Sequence, residues 1–232
     1  MYILAVDTSS KTASVALLKD KTVVGEYFTN TGFQHSSTLM PMIHSLLGCS
    51  NVSAEDIDLY AVTTGPGSFT GVRIGVSAVK GMAYAHNKPC VEVSPLEAMA
   101  MNMADFQGIV CPTMDARCNQ VYNALFKCEN GVITRLCDDR AIKIDALIEE
   151  AKDQKVCFLG DGAKLCIKAG EEAGISCFVP EENNLNPKAS CVGIVGYEKN
   201  IKGETVSAEA LSPLYLRPPQ AERMKNENNE RK

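Results

Sequence analysis

A pattern laid down near the N-terminus recurs 108 positions later, and this repeat limits the fold more than any other feature of the chain. A slide of 108 places Val6-Asp7-Thr8 over Met114-Asp115-Ala116, Val15-Ala16-Leu17 over Asn123-Ala124-Leu125, and Lys19 over Lys127. Similarity of this kind means that one supersecondary unit is used twice. In the first copy, apolar runs over 2–6, 12–18 and 23–28 are broken by polar turns, one of them Lys19-Asp20-Lys21, which predicts a three-stranded antiparallel meander. In the second copy Glu129-Asn130-Gly131 is a hairpin signal, and a strand is expected over 132–136. Each first strand ends on an aspartate.

After each meander, strands alternate with helices. Ser36 or Ser37 is expected to cap a helix running to about Leu47, with Pro41 tolerated near its first turn. A strand over 59–62, a long helix from Phe69, a strand over 90–93 and a helix over 95–103 follow. Three antiparallel strands followed by such alternation describe an α/β lobe with a mixed sheet. In the second copy Asp145 caps a helix to about Lys152, a strand over 156–159 ends on Gly160-Asp161-Gly162, and a helix over 163–174 precedes a short strand over 175–179. The expected lobes are 1–106 and 107–188, with 189–222 packing back on the first. The charged, asparagine-rich tail 223–232 is expected to be disordered.

The stretch Thr63-Thr64-Gly65-Pro66-Gly67-Ser68-Phe69-Thr70-Gly71-Val72-Arg73-Ile74-Gly75 joins the fourth strand to the long helix. Glycines around a proline fix a tight turn, and Ser68 and Thr70 are candidate caps. The N–H groups of such a turn can receive an anion, or the glycines can simply let helix and sheet pack closely. On the helix, Gly71, Gly75, Ala78, Met82 and Ala85 share one face, beside a second apolar stripe of Val72, Val76, Val79 and Ala83. That arc is wider than one core requires. The preceding helix carries Leu39, Met40, Ile43, Leu46 and Leu47, a broad set that suits a contact surface as well as a core. These two sets are the candidate partner interface.

The net charge of −5 argues against an extended nucleic-acid surface, so RNA is expected only through a partner. The ten cysteines include no Cys-x-x-Cys and read as buried reduced thiols. An apolar N-terminal run stopped by Asp7, with no basic segment before it and no later stretch of membrane-spanning length, points to the cytoplasm. His35, His44 and His86 are scattered without metal-binding spacing.

Pseudo-symmetry brings Asp7 and Asp115 to one cleft. A nucleotide-binding reading gives Asp7 a hydrated magnesium ion, Thr8 and Ser9 the phosphates, and Gly160, Asp161 and Gly162 the approach from the other lobe. The second copy carries Ala116-Arg117 in place of Thr8-Ser9, which favours a degenerate cleft over a working kinase.

The motifs Val6-Asp7-Thr8-Ser9, the 63–75 stretch, Met114-Asp115-Ala116-Arg117 and Pro213-Leu214-Tyr215-Leu216-Arg217 with Gln220-Ala221-Glu222 resemble the bacterial tRNA threonylcarbamoyladenosine biosynthesis proteins of the TsaB type. The resemblance extends to about Glu222. It implies two RNase H-like lobes of the actin, Hsp70 and sugar-kinase kind, each a mixed five-stranded sheet with helices. It further implies a role in placing threonylcarbamoyl on adenosine 37 of tRNA. The catalytic, TsaD-type paralogue of that family carries a His-x-Glu-x-His metal motif where this chain has Pro95-Leu96-Glu97-Ala98-Met99, so only Glu97 is kept.

Three expectations follow: a non-catalytic subunit with no metal and no intrinsic cofactor, pairing with the TsaD-type paralogue, and self-pairing when the paralogue is absent. A TsaE-type ATPase as third subunit, and ADP or ATP at the complex interface, stay open. The competing reading is an ATP-dependent small-molecule kinase of the same fold.

Overall fold

The computed structural model describes residues 1–32, 34–152 and 154–217. The tail 223–232 and the Gln220-Ala221-Glu222 part of the last motif lie outside the described residues. The first sheet has the order β3-β2-β1-β4-β5, built from β1 (Tyr2–Asp7), β2 (Ala13–Lys19), β3 (Thr22–Thr29), β4 (Leu59–Thr63) and β5 (Cys90–Val93). The meander is antiparallel, and β4 and β5 run parallel to β1.

Both faces of this sheet are covered, which is why its central strands are apolar at nearly every position. Alternate residues Leu4, Val6, Val15, Leu17, Tyr60 and Val62 meet α1 (His35–Ser50) and α2 (Phe69–His86). Their neighbours Ile3, Ala5, Ala16, Leu18, Leu59 and Ala61 meet α6 (Ala189–Ile201), the expected return of the C-terminal part. Small residues set the spacing on that side. Gly196 lies on Ala61, Gly193 lies on Leu18, and Ser14 Oγ accepts the Ala189 N–H at 2.9 Å.

The second sheet repeats the order with more pieces. It comprises β6 (Gly108–Arg117), β7 (Gln120–Asn123), β8 (Phe126–Glu129), β9 (Val132–Arg135), β10 (Arg140–Lys143), β11 (Val156–Leu159) and β12 (Cys177–Phe178). The expected five strands become seven because the second and third strands of the meander are each cut in two. On β6, β7 pairs Asn123 with Thr113, and β8 continues the same register with Phe126 opposite Val110. Between these pairs lies Pro112, which has no N–H for the ladder. The repeat also slips by one residue. Val15 pairs Val6, whereas Met114 pairs Tyr122 rather than Asn123, next to an irregularity between Asp115 and Arg117.

One face of the second sheet carries α4 (Ile144–Glu150) and α5 (Ala163–Glu172). Its other face is closed by α3 (Pro95–Met101), whose Leu96, Met99 and Ala100 join the core of the second lobe while Ala98 joins that of the first. One helix therefore serves both lobes.

Two expected caps and the place of one proline differ from the structure. Gln34 is the N-cap of α1, and Ser37 Oγ donates to Gln34 O at 2.8 Å instead of capping. Pro41 lies in the second turn of α1, on its exposed side, where the missing donor faces solvent. Asp145 is in the first turn of α4, with Lys143 at the cap position.

Candidate functional site

The cleft between the lobes has a volume of about 680 Å³ and is lined by Ser9, Lys11, His35, Ser68, Asp115, Arg117 and Asp161 among others. The loop after β1 contributes Ser9, Ser10 and Lys11 to its lining. Asp7, the last residue of β1, is fully buried and is not among the lining residues. Its Oδ1 accepts from Ser9 Oγ at 2.7 Å and from Thr63 Oγ1 at 2.7 Å, while Oδ2 has no hydrogen-bond partner among the described residues. Burial pushes the Asp7 carboxyl above its usual range, against the lowering effect of the Ser9 and Thr63 hydroxyls.

Several expected cleft residues turn inward. Thr8 is buried, and its hydroxyl donates to Gly71 O at 2.8 Å. The Ser9 hydroxyl gives its proton to Asp7, and the Ser9 carbonyl accepts the Ser68 N–H at 2.7 Å. Neither hydroxyl proton is left for a phosphate. Gly160 has φ +84° and, like Gly162, packs on Thr113, where a Cβ would collide with the strand. Both are packing glycines. Asp115 and Asp161 both line the cleft, and Asp161 Oδ1 accepts the Asp115 backbone N–H at 3.0 Å. Asp115 also pairs with Arg117 at 3.1 Å.

The glycine turn after β4 is a packing device too. The Ser68 side chain caps α2 by accepting the Gly71 N–H at 3.2 Å. Gly71 and Gly75 lie against Thr8, so the first half of the small-residue stripe meets this chain's own β1 loop, a correction to their expected place at a partner interface. Ala78 and Met82 are half-buried, and Ala85 is exposed. On α1, Leu39, Ile43, Leu46 and Leu47 are buried in the core beneath the sheet, so of that helix's expected set only Met40, 48% exposed, reaches the surface. The partner surface that remains is narrower than the sequence suggested.

On α3, Pro95 and Met99 are buried, and the Met99 Sδ lies against Gly160. Glu97 is held by Arg135 at 3.3 Å and Lys199 at 3.9 Å. No group of three or more His, Cys, Asp or Glu side chains among the described residues could hold a metal ion. Also among the described residues, no helix is long and apolar enough to cross a membrane.

Two features escaped the sequence reading. A second cavity of about 760 Å³, on the α3 side of the molecule, is lined by Glu92, Glu97, Arg135, Asp139 and Lys199 among others. The other is a stack of Phe69 and Tyr215, ring centroids 4.7 Å apart, with Arg73 donating from Nε to Tyr215 Oη at 2.6 Å. Tyr215 stood inside a recognised motif, but nothing local in the sequence announces a contact across 142 positions.

A family model described as TsaD, tRNA N6-adenosine threonylcarbamoyltransferase, matches residues 29–223. A curated relative from Bacillus subtilis (strain 168), the tRNA threonylcarbamoyladenosine biosynthesis protein TsaB, is 37% identical over 225 residues, covering 96% of each chain. The crystal structure of a Pseudomonas aeruginosa protein similar to peptidase YeaZ superposes with TM-score 0.80 at 28% identity, covering 93% of this chain and 99% of that one. An activator of 2-hydroxyisocaproyl-CoA dehydratase from Clostridium difficile shares the fold alone, with TM-score 0.52, 13% identity, and 88% and 97% of the two chains covered. With its two like-ordered sheets and these matches, the chain belongs to the family of tRNA threonylcarbamoyladenosine biosynthesis proteins of the TsaB type.

Proposed function

We propose that this chain is a non-catalytic subunit of threonylcarbamoyladenosine biosynthesis, which binds and activates the TsaD-type paralogue that transfers threonylcarbamoyl to N6 of adenosine 37 of tRNA. The observation that carries the reading is the apolar surface left on α1 and α2, where Met40 and Ala85 are exposed and Ala78 and Met82 half-buried on helices anchored to the first core. Small side chains on one helix let a neighbouring helix come close, and a flexible methionine fits more than one partner. One edge that serves both a second copy and the paralogue makes the homodimer and the heterodimer mutually exclusive. A TsaE-type ATPase, tRNA, and ADP or ATP would then join through the assembled complex.

Two further points support the reading. The Thr8 and Ser9 hydroxyls give their protons to partners within the chain, which speaks against the kinase alternative. Met99 fills space beside Gly160 at one of the positions where the resemblance puts a metal-binding histidine in the catalytic relatives.

Sedimentation of the chain alone and mixed with its TsaD-type paralogue, wild type beside Ala78→Arg, followed by a tRNA modification assay on each mixture, tests it. A wild-type dimer that exchanges for a heterodimer, with both lost in a folded Ala78→Arg chain, is the expected result. A monomer indifferent to the paralogue would overturn the reading.

A further inference from the structure

We propose that residues 211–217 form a latch that fixes the angle between the two lobes and therefore the width of the cleft. The segment starts in the first lobe, where Leu211 is buried in the core and the Ser212 N–H donates to Glu92 Oε1 at 3.2 Å. It then crosses the loop after β4. The Leu214 N–H donates to Thr64 O at 2.8 Å, and the Leu214 carbonyl occupies the space that a side chain on Gly65, at φ +120°, would need. Tyr215 stacks on Phe69 and accepts from Arg73, both on the first turns of α2. The segment ends on the second lobe, where Arg217 Nη1 donates to Ala116 O at 2.8 Å, beside the irregularity of β6.

The two ends are unequal. Among the described residues, a backbone bond, a ring stack and a guanidinium hold the segment on the first lobe, and one side-chain hydrogen bond holds it on the second. Other lobe-to-lobe links include α3, shared by both cores, and residues 185–189, where the Leu185 carbonyl accepts the Gly160 N–H at 2.7 Å and the Ala189 N–H reaches Ser14 Oγ at 2.9 Å. α3 and residues 185–189 are where two bodies can hinge. A further tie, between Arg217 and Ala116, opposes that turning. The latch rests on contacts within the chain and stands apart from whether α2 carries a partner.

The chain supplies its own reporters. Cys49, at the end of α1, and Cys118, at the tip of the β6–β7 hairpin, are both exposed thiols, one on each lobe. Spin labels on this pair, measured by double electron–electron resonance, read the interlobe distance, and loss of the signal in Cys118→Ser assigns it. We expect one narrow distance distribution in the wild type, and at least a doubling of its width in Arg217→Ala and in Tyr215→Ala. Arg217→Ala removes one half-buried side-chain hydrogen bond and leaves the first-lobe contacts in place, so it reports even if Tyr215→Ala does not fold. Distributions for a folded Arg217→Ala chain that superpose on the wild type would overturn the proposal.

Discussion

The hydroxyl of Thr8 donates to the carbonyl of Gly71 at 2.8 Å, which ties the loop after β1 to the first turn of α2. One turn further on, Gly75 meets the same hydroxyl with no room for a Cβ. Gly75→Ala gains up to about 1 kcal/mol of helix propensity. It loses about 1–3 kcal/mol to overpacking, so a net loss of stability is expected. Urea unfolding of the cycle with Thr8→Ala checks this: once the hydroxyl is gone, the same Gly75→Ala change should be neutral or stabilising.

On α1, adjacent turns divide between surface and core. Met40 is 48% exposed and Ile43 is 2% exposed. Met40→Asp should leave thermal stability within about 0.5 kcal/mol of the wild type. It should also weaken association with the paralogue at least tenfold, about 1.4 kcal/mol. Ile43→Asp, by contrast, buries an unpaired charge and should unfold the chain. Titration of each folded variant against the paralogue by calorimetry separates the two effects.

Helix capping gives a contrast within the first lobe. Ser68→Ala removes the acceptor of the Gly71 N–H and should cost about 1 kcal/mol. Ser37→Ala removes only an exposed bond to Gln34 O and should change stability by less than about 0.5 kcal/mol. Denaturant midpoints at a fixed slope measure both.

Asp7 should make the chain less stable as the medium becomes less acid. Burial raises its folded pKa above the unfolded value, so the unfolded chain releases the proton first. Between the two values the folded state binds more protons, and stability falls as pH rises through that window, levelling off above the folded pKa. Asp7→Asn keeps an acceptor for Ser9 and Thr63 and removes the titration. Its stability relative to the wild type should therefore increase between pH 4 and pH 7, read from urea unfolding at each pH.

The repeat made the two like-ordered sheets legible, because an aspartate at the end of each first strand and the alternation after it are local signals. The central strands and α2 were equally plain, since periodicity in 69–86 is helical throughout. What periodicity does not reveal is which neighbour takes an apolar stripe. Gly71 and Gly75 look the same in sequence whether they face a second chain or Thr8, and only the long-range hydrogen bond decides. The split of the second meander was hidden for a similar reason. Pro112 reads as a strand interruption only when its position in a paired ladder is known. Pseudo-symmetry pointed to Asp115, which lines the cleft, while the burial of Asp7 and the directions of Thr8 and Ser9 were beyond it.

Met99 and Pro95 leave no space for imidazole at this end of α3. Histidines placed at 95 and 99 would arrive in a filled space, since Met99 lies against Gly160 and Pro95 is buried. They would also flank a carboxylate already claimed by Arg135 from the opposite lobe. The side chains that fill this end of α3 stabilise the fold in their own right, so a metal site introduced there residue by residue passes through overpacked intermediates.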